Sequence, residues 1–220
     1  MKHALALGAT ALAITGAASA RPAATFTFDE LPSGSQANSF AQAAALGVSF
    51  SYAALLPDLD PSGDPIPGTT HWRPDITAPT VTVSNPLLFN RGPAPSGSNA
   101  LDALWQPVLI SFSTAYNLDA NGFSLVADNS RFGLNGLLPG FADIAVQFYD
   151  AGNNLLGSSP INQTVPGFTV TTGGFSNVSY ILIAAGKFYD NITISGTPVP
   201  APSAFLALLP LAAAAGRRRR

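Results

Sequence analysis

The chain has 220 residues and no cysteine, only 10% of it is charged, and it holds 20 glycines and 19 prolines. Without cysteine there is no disulfide framework, so a packed core or a bound ion must hold an exported domain together. The formal charge of −2 hides an asymmetry: between residues 21 and 202 five basic residues stand against all twelve acidic ones, a net of −7, which excludes a surface built for nucleic acid or anionic lipid.

Residues 1–20 read as a secretory signal-peptide helix. Lys2 and His3 start it, Ala4 to Gly16 form the apolar run, and Ala18-Ser19-Ala20 is a small-x-small cleavage site. Export through the Sec pathway is expected, with a mature chain beginning at Arg21. Residues 21–196 then make one domain. Its scarcity of Lys and Glu, with frequent Phe and Thr, points to strands and turns.

The first strand is expected over Thr25 to Glu30, with Phe26, Phe28 and Glu30 on one face and Thr25, Thr27 and Asp29 on the other. Ser39 to Leu46 is the one short helix. Val48 to Tyr52 is a strand, and residues 53–79 form a long loop rich in Pro and Asp. Such loops are uncommon in compact domains and often functional. Within it, Asp58 to Asp64 begins like a calcium loop but has Thr69 where the bidentate Glu belongs, so it reads as an acidic turn. His71-Trp72-Arg73-Pro74-Asp75 offers Trp72 as a platform on which a sugar ring could stack; packing of Trp72 against the domain is the competing reading. Tyr52, Tyr116 and Trp105 are weaker platforms, and Trp105 is expected in the core.

Further strands are expected at Thr80 to Val83, Leu87 to Asn90, Val108 to Ser113, Gly122 to Ala127 and Ala142 to Asp150. Asp150-Ala151-Gly152-Asn153 is a hairpin turn by composition. Leu155 to Ser158, Phe168 to Thr172, Val178 to Ala184 and Phe188 to Ser195 complete the set. Val178 to Ala184 is apolar on both parities and should be a central strand. The whole is all-β: an antiparallel jelly-roll β-sandwich of about nine or ten strands.

In the last strand, Asp190 shares its parity with Phe188, Ile192 and Ile194. An ionised carboxylate in that register needs hydrogen bonds, a basic partner or a metal. Glu30 raises the same question beside Phe26 and Phe28. For catalysis the pattern is poor. His71 is the only histidine after the signal, no Gly-x-Ser-x-Gly elbow occurs, and no Asp pair stands out. The chain therefore reads as a non-enzyme with no catalytic residue.

Residues 197–220 run from a proline-alternating segment, through an uncharged stretch Ser203 to Gly216, to Arg217, Arg218, Arg219 and Arg220. Alternating prolines keep a chain extended and readable by a processing enzyme, and the arginines hold the cytoplasmic side. The apolar stretch, an expected helix, has fourteen residues with Pro210 inside, against roughly 20 for a spanning helix. It suits transient inner-membrane retention. The segment Val199-Pro200-Ala201-Pro202-Ser203, together with its apolar stretch and arginine end, resembles the PEP-CTERM sorting signal of Gram-negative bacteria, with Ala201 where the commoner form has Glu. The resemblance implies processing by an exosortase-type transpeptidase, then a cell-surface or extracellular location linked to exopolysaccharide and biofilm.

The domain resembles the jelly rolls found among PEP-CTERM proteins and carbohydrate-binding modules, through Phe28-Asp29-Glu30, Ser96-Gly97-Ser98-Asn99-Ala100-Leu101, the Asp150 turn and Phe188-Tyr189-Asp190-Asn191-Ile192. In such modules the first and last strands lie side by side and often hold a structural calcium. That implies a Ca²⁺ site on Glu30 and Asp190, with Asp29 and Asn191 as secondary ligands. The alternative, Asp190 capping backbone amides at a bulge, stays open. The functional expectation is a structural or adhesive matrix protein, with a carbohydrate-binding module as the alternative and a secreted hydrolase as a remote one.

Overall fold

A computed structural model describes residues 21–78, 80–89, 94–128, 145–161 and 167–200. The expected signal peptide with Ala18 and Ala20, and the sorting segment beyond Pro200 with Ala201, Pro202, Ser203 and the four arginines, lie outside the described residues.

Eleven strands occur among the described residues, all paired antiparallel: β1 Arg21–Phe26, β2 Val48–Leu56, β3 His71–Pro74, β4 Val83–Ser84, β5 Ala100–Ala103, β6 Val108–Ala127, β7 Ala145–Tyr149, β8 Leu155–Pro160, β9 Thr169–Thr172, β10 Val178–Ile183 and β11 Lys187–Pro198. One helix, α1 Ala41–Leu46, lies between β1 and β2; Gly47 closes it in the left-handed region.

β6 organises the pairing. Its first part lies between β2 and β10, and β10 continues the ladder to β7 and β8. Its second part pairs with β9 and β11, and β11 carries β1, β5 and, through β5, β4. Between the two parts, from Leu118 to Phe123, the register with β11 slips. Three glycines permit this crowding. A Cβ on Gly122 would lie 2.5 Å from Ser195 O, one on Gly173 2.2 Å from Asp119 O, and one on Gly196 2.2 Å from Asn117 O. Any side chain there would displace main chain.

The main core takes one parity from each ladder: Val108 and Ile110 of β6, Ile181 and Ile183 of β10, Val146 and Phe148 of β7, with Ile192 and Ile194 of β11. Rings from the two parts meet in it. Phe26 stands edge-on to Phe50 at 5.4 Å, and Phe123 edge-on to Phe148 at 5.4 Å, the geometry that sets a positive ring edge against a negative face. β10 lies between β6 and β7, and all its residues but Ser179 are buried, as its double-sided apolar sequence requires.

Several expectations shift. The first strand ends at Phe26, because Phe28 takes φ 63° and Leu31 N–H turns back to Phe28 O. Leu87 to Asn90 is no strand: Pro86–Phe89 is a 3-10 turn, started by Asn85 Oδ1, which accepts from Leu87 N–H at 3.0 Å. Val108 to Ser113 and Gly122 to Ala127 are parts of one strand, and Ala100–Ala103, read only as the approach to strands, is itself one. The long loop is shorter than expected, since β2 runs on to Leu56 and β3 returns along it, Leu55 opposite Trp72.

Candidate functional site

Two places gather polar and aromatic side chains: a corner where β1 ends beside β11, and a groove on the face opposite the main core.

Asp190 is fully buried in β11, but not on the face of Ile192 and Ile194 as its parity predicts: the slip at Asn191 puts Tyr189, Ile192 and Ile194 in the main core and leaves Asp190 on the side of Phe188, which packs with Ala94, Ala100 and Leu104. Its Oδ2 accepts from Ser96 N–H and Ser96 Oγ–H, both at 2.8 Å, and its Oδ1 from Asn191 N–H at 2.7 Å. Asn191 sits at φ 50°, where the pairing with β6 slips. Asp29 comes to the same corner. Its Oδ1 accepts from Ser98 N–H at 2.7 Å and Asn99 N–H at 3.0 Å, and its Oδ2 lies 3.3 Å from Ser96 Oγ. Ser96 has one hydroxyl proton for two carboxylates, and the shorter contact goes to Asp190. Burial pushes the Asp190 carboxyl up from its usual value and the Asp29 charge adds to it, while the Ser96 and Asn191 donors pull it down.

Asp29 rather than Glu30 therefore meets Asp190. Glu30 is exposed and accepts from Thr27 Oγ1–H at 3.0 Å. The left-handed Phe28 breaks the alternation that put Glu30 on the core face. The corner's loop, Ser96 to Asn99, wraps Asp29 so tightly that a Cβ on Gly97 would lie 2.2 Å from Asp29 Oδ2. Among the described residues neither carboxylate has an ion-pair partner, and no group of three or more His, Cys, Asp or Glu converges. As to whether a calcium ion fits, the Asp29 and Asp190 carboxylates, which both reach the Ser96 hydroxyl, are hard oxygen donors of the right kind. The other ligands would be backbone carbonyls and water.

The groove arises from strand alternation. Leu109 of β6, Tyr180 and Leu182 of β10 and Ala53 of β2 point away from the main core and form a small second cluster, against which Trp72 and Tyr149 pack. β2 leaves β6 after Tyr52 and pairs with β3, so the β2–β3 arm brings Trp72 to this face. Between the arm and β10 lies a groove of about 890 Å³, lined also by Arg73, Asp75, Ser111, Ala151, Asn153 and Ser179.

Its parts are fixed. Tyr180 stacks on its cross-strand partner Tyr149 at 4.8 Å and 13° and donates to Asn153 Oδ1 at 3.1 Å. Burial, helped by Tyr149 and Asp150 and opposed by Arg73, pushes the Tyr180 hydroxyl up to about 12, so it stays a proton donor. Arg73 pairs with Asp58, and His71 Nε2 lies 3.7 Å from the same carboxylate. Asp75 Oδ1 accepts from Thr77 N–H and Oγ1–H and from Ala78 N–H, and its Oδ2 from Gln106 Nε2 at 3.3 Å. These donors hold its carboxyl below the usual range, the Thr77 hydroxyl most of all.

Trp72 thus lines the groove and packs on the second cluster, as the competing reading of it expects. Trp105, expected in the core, is 69% exposed. It stands at the tip between β5 and β6, where Leu104 takes the buried side. The Asp58 to Asp64 segment is a turn as read: Asp60 Oδ1 accepts from Ser62 and Asp64 N–H, and Gly63 sits at φ 90°. Sequence reasoning missed Tyr180, Asn153 and Asp75 as groove residues, and Tyr149 as the ring stacked on Tyr180. Only Asp75 carried a signal, by its place beside Trp72. No family model matches the chain, and no curated protein matches it either.

Proposed function

We propose that this is an exported β-sandwich protein of the jelly-roll kind that binds extracellular polysaccharide in the groove beside Trp72. Of the two main expectations, a structural matrix component and a carbohydrate-binding module, the groove favours the second, and adhesion to a polysaccharide matrix would result from it. The observation that carries the reading is that one groove is lined by Trp72 together with the polar side chains of Asp75, Ser111, Asn153 and Ser179. Sugar rings present an apolar C–H face and a rim of hydroxyls, and such a cleft complements both. The groups ask for no cofactor, and binding without turnover is the proposed activity.

The tail gives the setting. A PEP-CTERM-like segment after β11, read by an exosortase-type transpeptidase, would retain the chain at the inner membrane and then release it at the cell surface, where exopolysaccharide is the abundant polymer. No helix among the described residues is long and apolar enough to cross a membrane.

A glycan array carrying neutral and acidic oligosaccharides tests the reading. Saturable binding that Trp72→Ala removes, while circular dichroism shows the variant still folded, is the expected result. An array without signal, or polysaccharide cleavage detected as new reducing ends, sinks it.

A second proposal concerns the corner. The convergence of Asp29 and Asp190 on Ser96, without a basic partner among the described residues, supports a structural Ca²⁺ held by Asp29, Asp190 and the Ser96 hydroxyl. The ion would neutralise two charges that otherwise repel and would tie the end of β1 to β11. EGTA should then lower the melting temperature and added Ca²⁺ restore it. An unchanged melting temperature leaves the hydrogen-bonded arrangement as the whole account of the corner.

A further inference from the structure

Trp105 is an anomaly for a solvent-facing tip. At 69% exposure it is among the most exposed large apolar side chains described, and it is not there through slack in the chain. The tip is pinned on both sides: Leu104 N–H donates to Asp102 Oδ1 at 3.0 Å, Leu104 itself is buried, and Ala53 N–H donates to Pro107 O at 2.9 Å. Gln106, the next residue, reaches the rim of the groove and donates to Asp75 Oδ2 at 3.3 Å. Asp75 lines the groove and is itself locked by Thr77 and Ala78. Ile76, beside it, is 91% exposed.

We propose that Trp105 is a second aromatic platform of the same site, and that the ligand is an extended polysaccharide chain that runs from Trp72 past Asp75 to Trp105. This rests on the polysaccharide reading and adds to it that the site recognises chain interiors over several sugar units, not chain ends. Three observations meet here. Asp75, Ile76 and Thr77 all line the groove, and Ile76 is 91% exposed. The Gln106–Asp75 hydrogen bond ties the residue next to Trp105 to this groove lining. Asp75 and Gln106 are hydrogen-bonded to each other, yet Asp75 Oδ2 keeps a second lone pair and the Gln106 amide a second N–H and an oxygen, the kinds of group that take sugar hydroxyls. The polar bridge between two aromatic faces is what favours a polysaccharide over a second copy of this chain.

The test uses the full chain and an array of disaccharides and hexasaccharides of the same sugars. Binding by the unaltered protein should strengthen with chain length. Trp105→Ala should weaken hexasaccharide binding by about tenfold or more, as loss of an indole contact at a binding centre does, and leave disaccharide binding unchanged. Trp72→Ala should abolish both. If Trp105→Ala binds hexasaccharides as the unaltered protein does while Trp72→Ala does not, the second platform is wrong and the polysaccharide reading stands. If the unaltered protein binds no sugar on the array, the polysaccharide reading fails and this inference with it. If sedimentation shows a dimer that Trp105→Ala dissolves, the exposed tryptophan is a contact between copies and the inference is overturned.

Discussion

Asp190 shows how one side chain sets a pH dependence. It is fully buried, and burial raises its carboxyl above the usual value. The folded state therefore holds this proton more tightly than the unfolded state. Its contribution to stability is present below the unfolded value and is lost as pH rises through the raised folded value. Asp75 and Asp150 run the other way: hydrogen bonds, from Thr77 and Asn154 first of all, lower them, so their contributions exist above the ordinary value and fade as pH falls through their lowered ones. The two windows do not overlap, since they lie on opposite sides of an ordinary carboxylate value of about 4. In EGTA, stability measured by urea unfolding should rise as pH drops from neutral through the raised Asp190 value and fall again below the ordinary carboxylate value of about 4. Asp190→Asn should remove the rise and keep the fall; a rise that survives in Asp190→Asn would place it on another group. Asp190→Ala should do more damage than Asp190→Asn. It strips the acceptor from the half-buried Ser96 N–H and Asn191 N–H, for which the roughly 1–3 kcal/mol cost of a fully buried unpaired donor is an upper bound.

At the scale of the element, the three glycines around the β6 slip make a prediction with an internal control. Gly173→Ala places a methyl against Asp119 O and Gly122→Ala places one against Asp119 N and Ser195 O, all main chain that cannot step aside. Each should cost about 1–3 kcal/mol or more by overpacking. Gly63→Ala meets nothing within 4 Å and suffers only from φ 90°, a single left-handed residue worth about 1 kcal/mol. Urea midpoints should rank Gly63→Ala well above the other two. Such contacts are what the sequence does not carry. A run apolar on both parities announced β10 as central, and the Asp150 turn announced the β7–β8 hairpin, because both depend on neighbours close in the chain. The joining of Val108 to Ala127 into one strand depends instead on Ser195, Gly173 and Gly196 from elsewhere. Glu30 was misplaced for the same reason in miniature: one left-handed residue, Phe28, changes the parity of the residues after it. The corner was legible in part, since Asp190 stood out by its parity and Asp29 was its secondary partner. The groove was legible only through Trp72, because Tyr149 and Tyr180 become a face only when β7 and β10 pair.

At the scale of the molecule, β11 decides where the domain gives way to the tail. It is the strand on which β1, β5 and β6 all pair, and it ends at Pro198; Val199 N–H still donates to Ala115 O at 2.7 Å, and Pro200 is exposed. The last core contribution from this strand is Ile194, ahead of the Val-Pro-Ala-Pro-Ser motif. Cutting after Pro202 would therefore leave every strand pairing intact and remove only residues 203–220. A chain that ends at Pro202 should melt within a degree or so of the chain that ends at Arg220, since no described core residue is lost. It should also migrate as a much more acidic protein, because the four arginines offset four of the seven excess negative charges between residues 21 and 202. Mass spectrometry of the protein recovered from the cell surface decides whether the cut occurs: a mass that ends near Pro202 is expected, and an intact Arg220 rules processing out. Comparative melting of the two chains is the independent half of the test. A large loss of stability on truncation would mean that the tail packs on the domain and that the end of β11 is not a boundary.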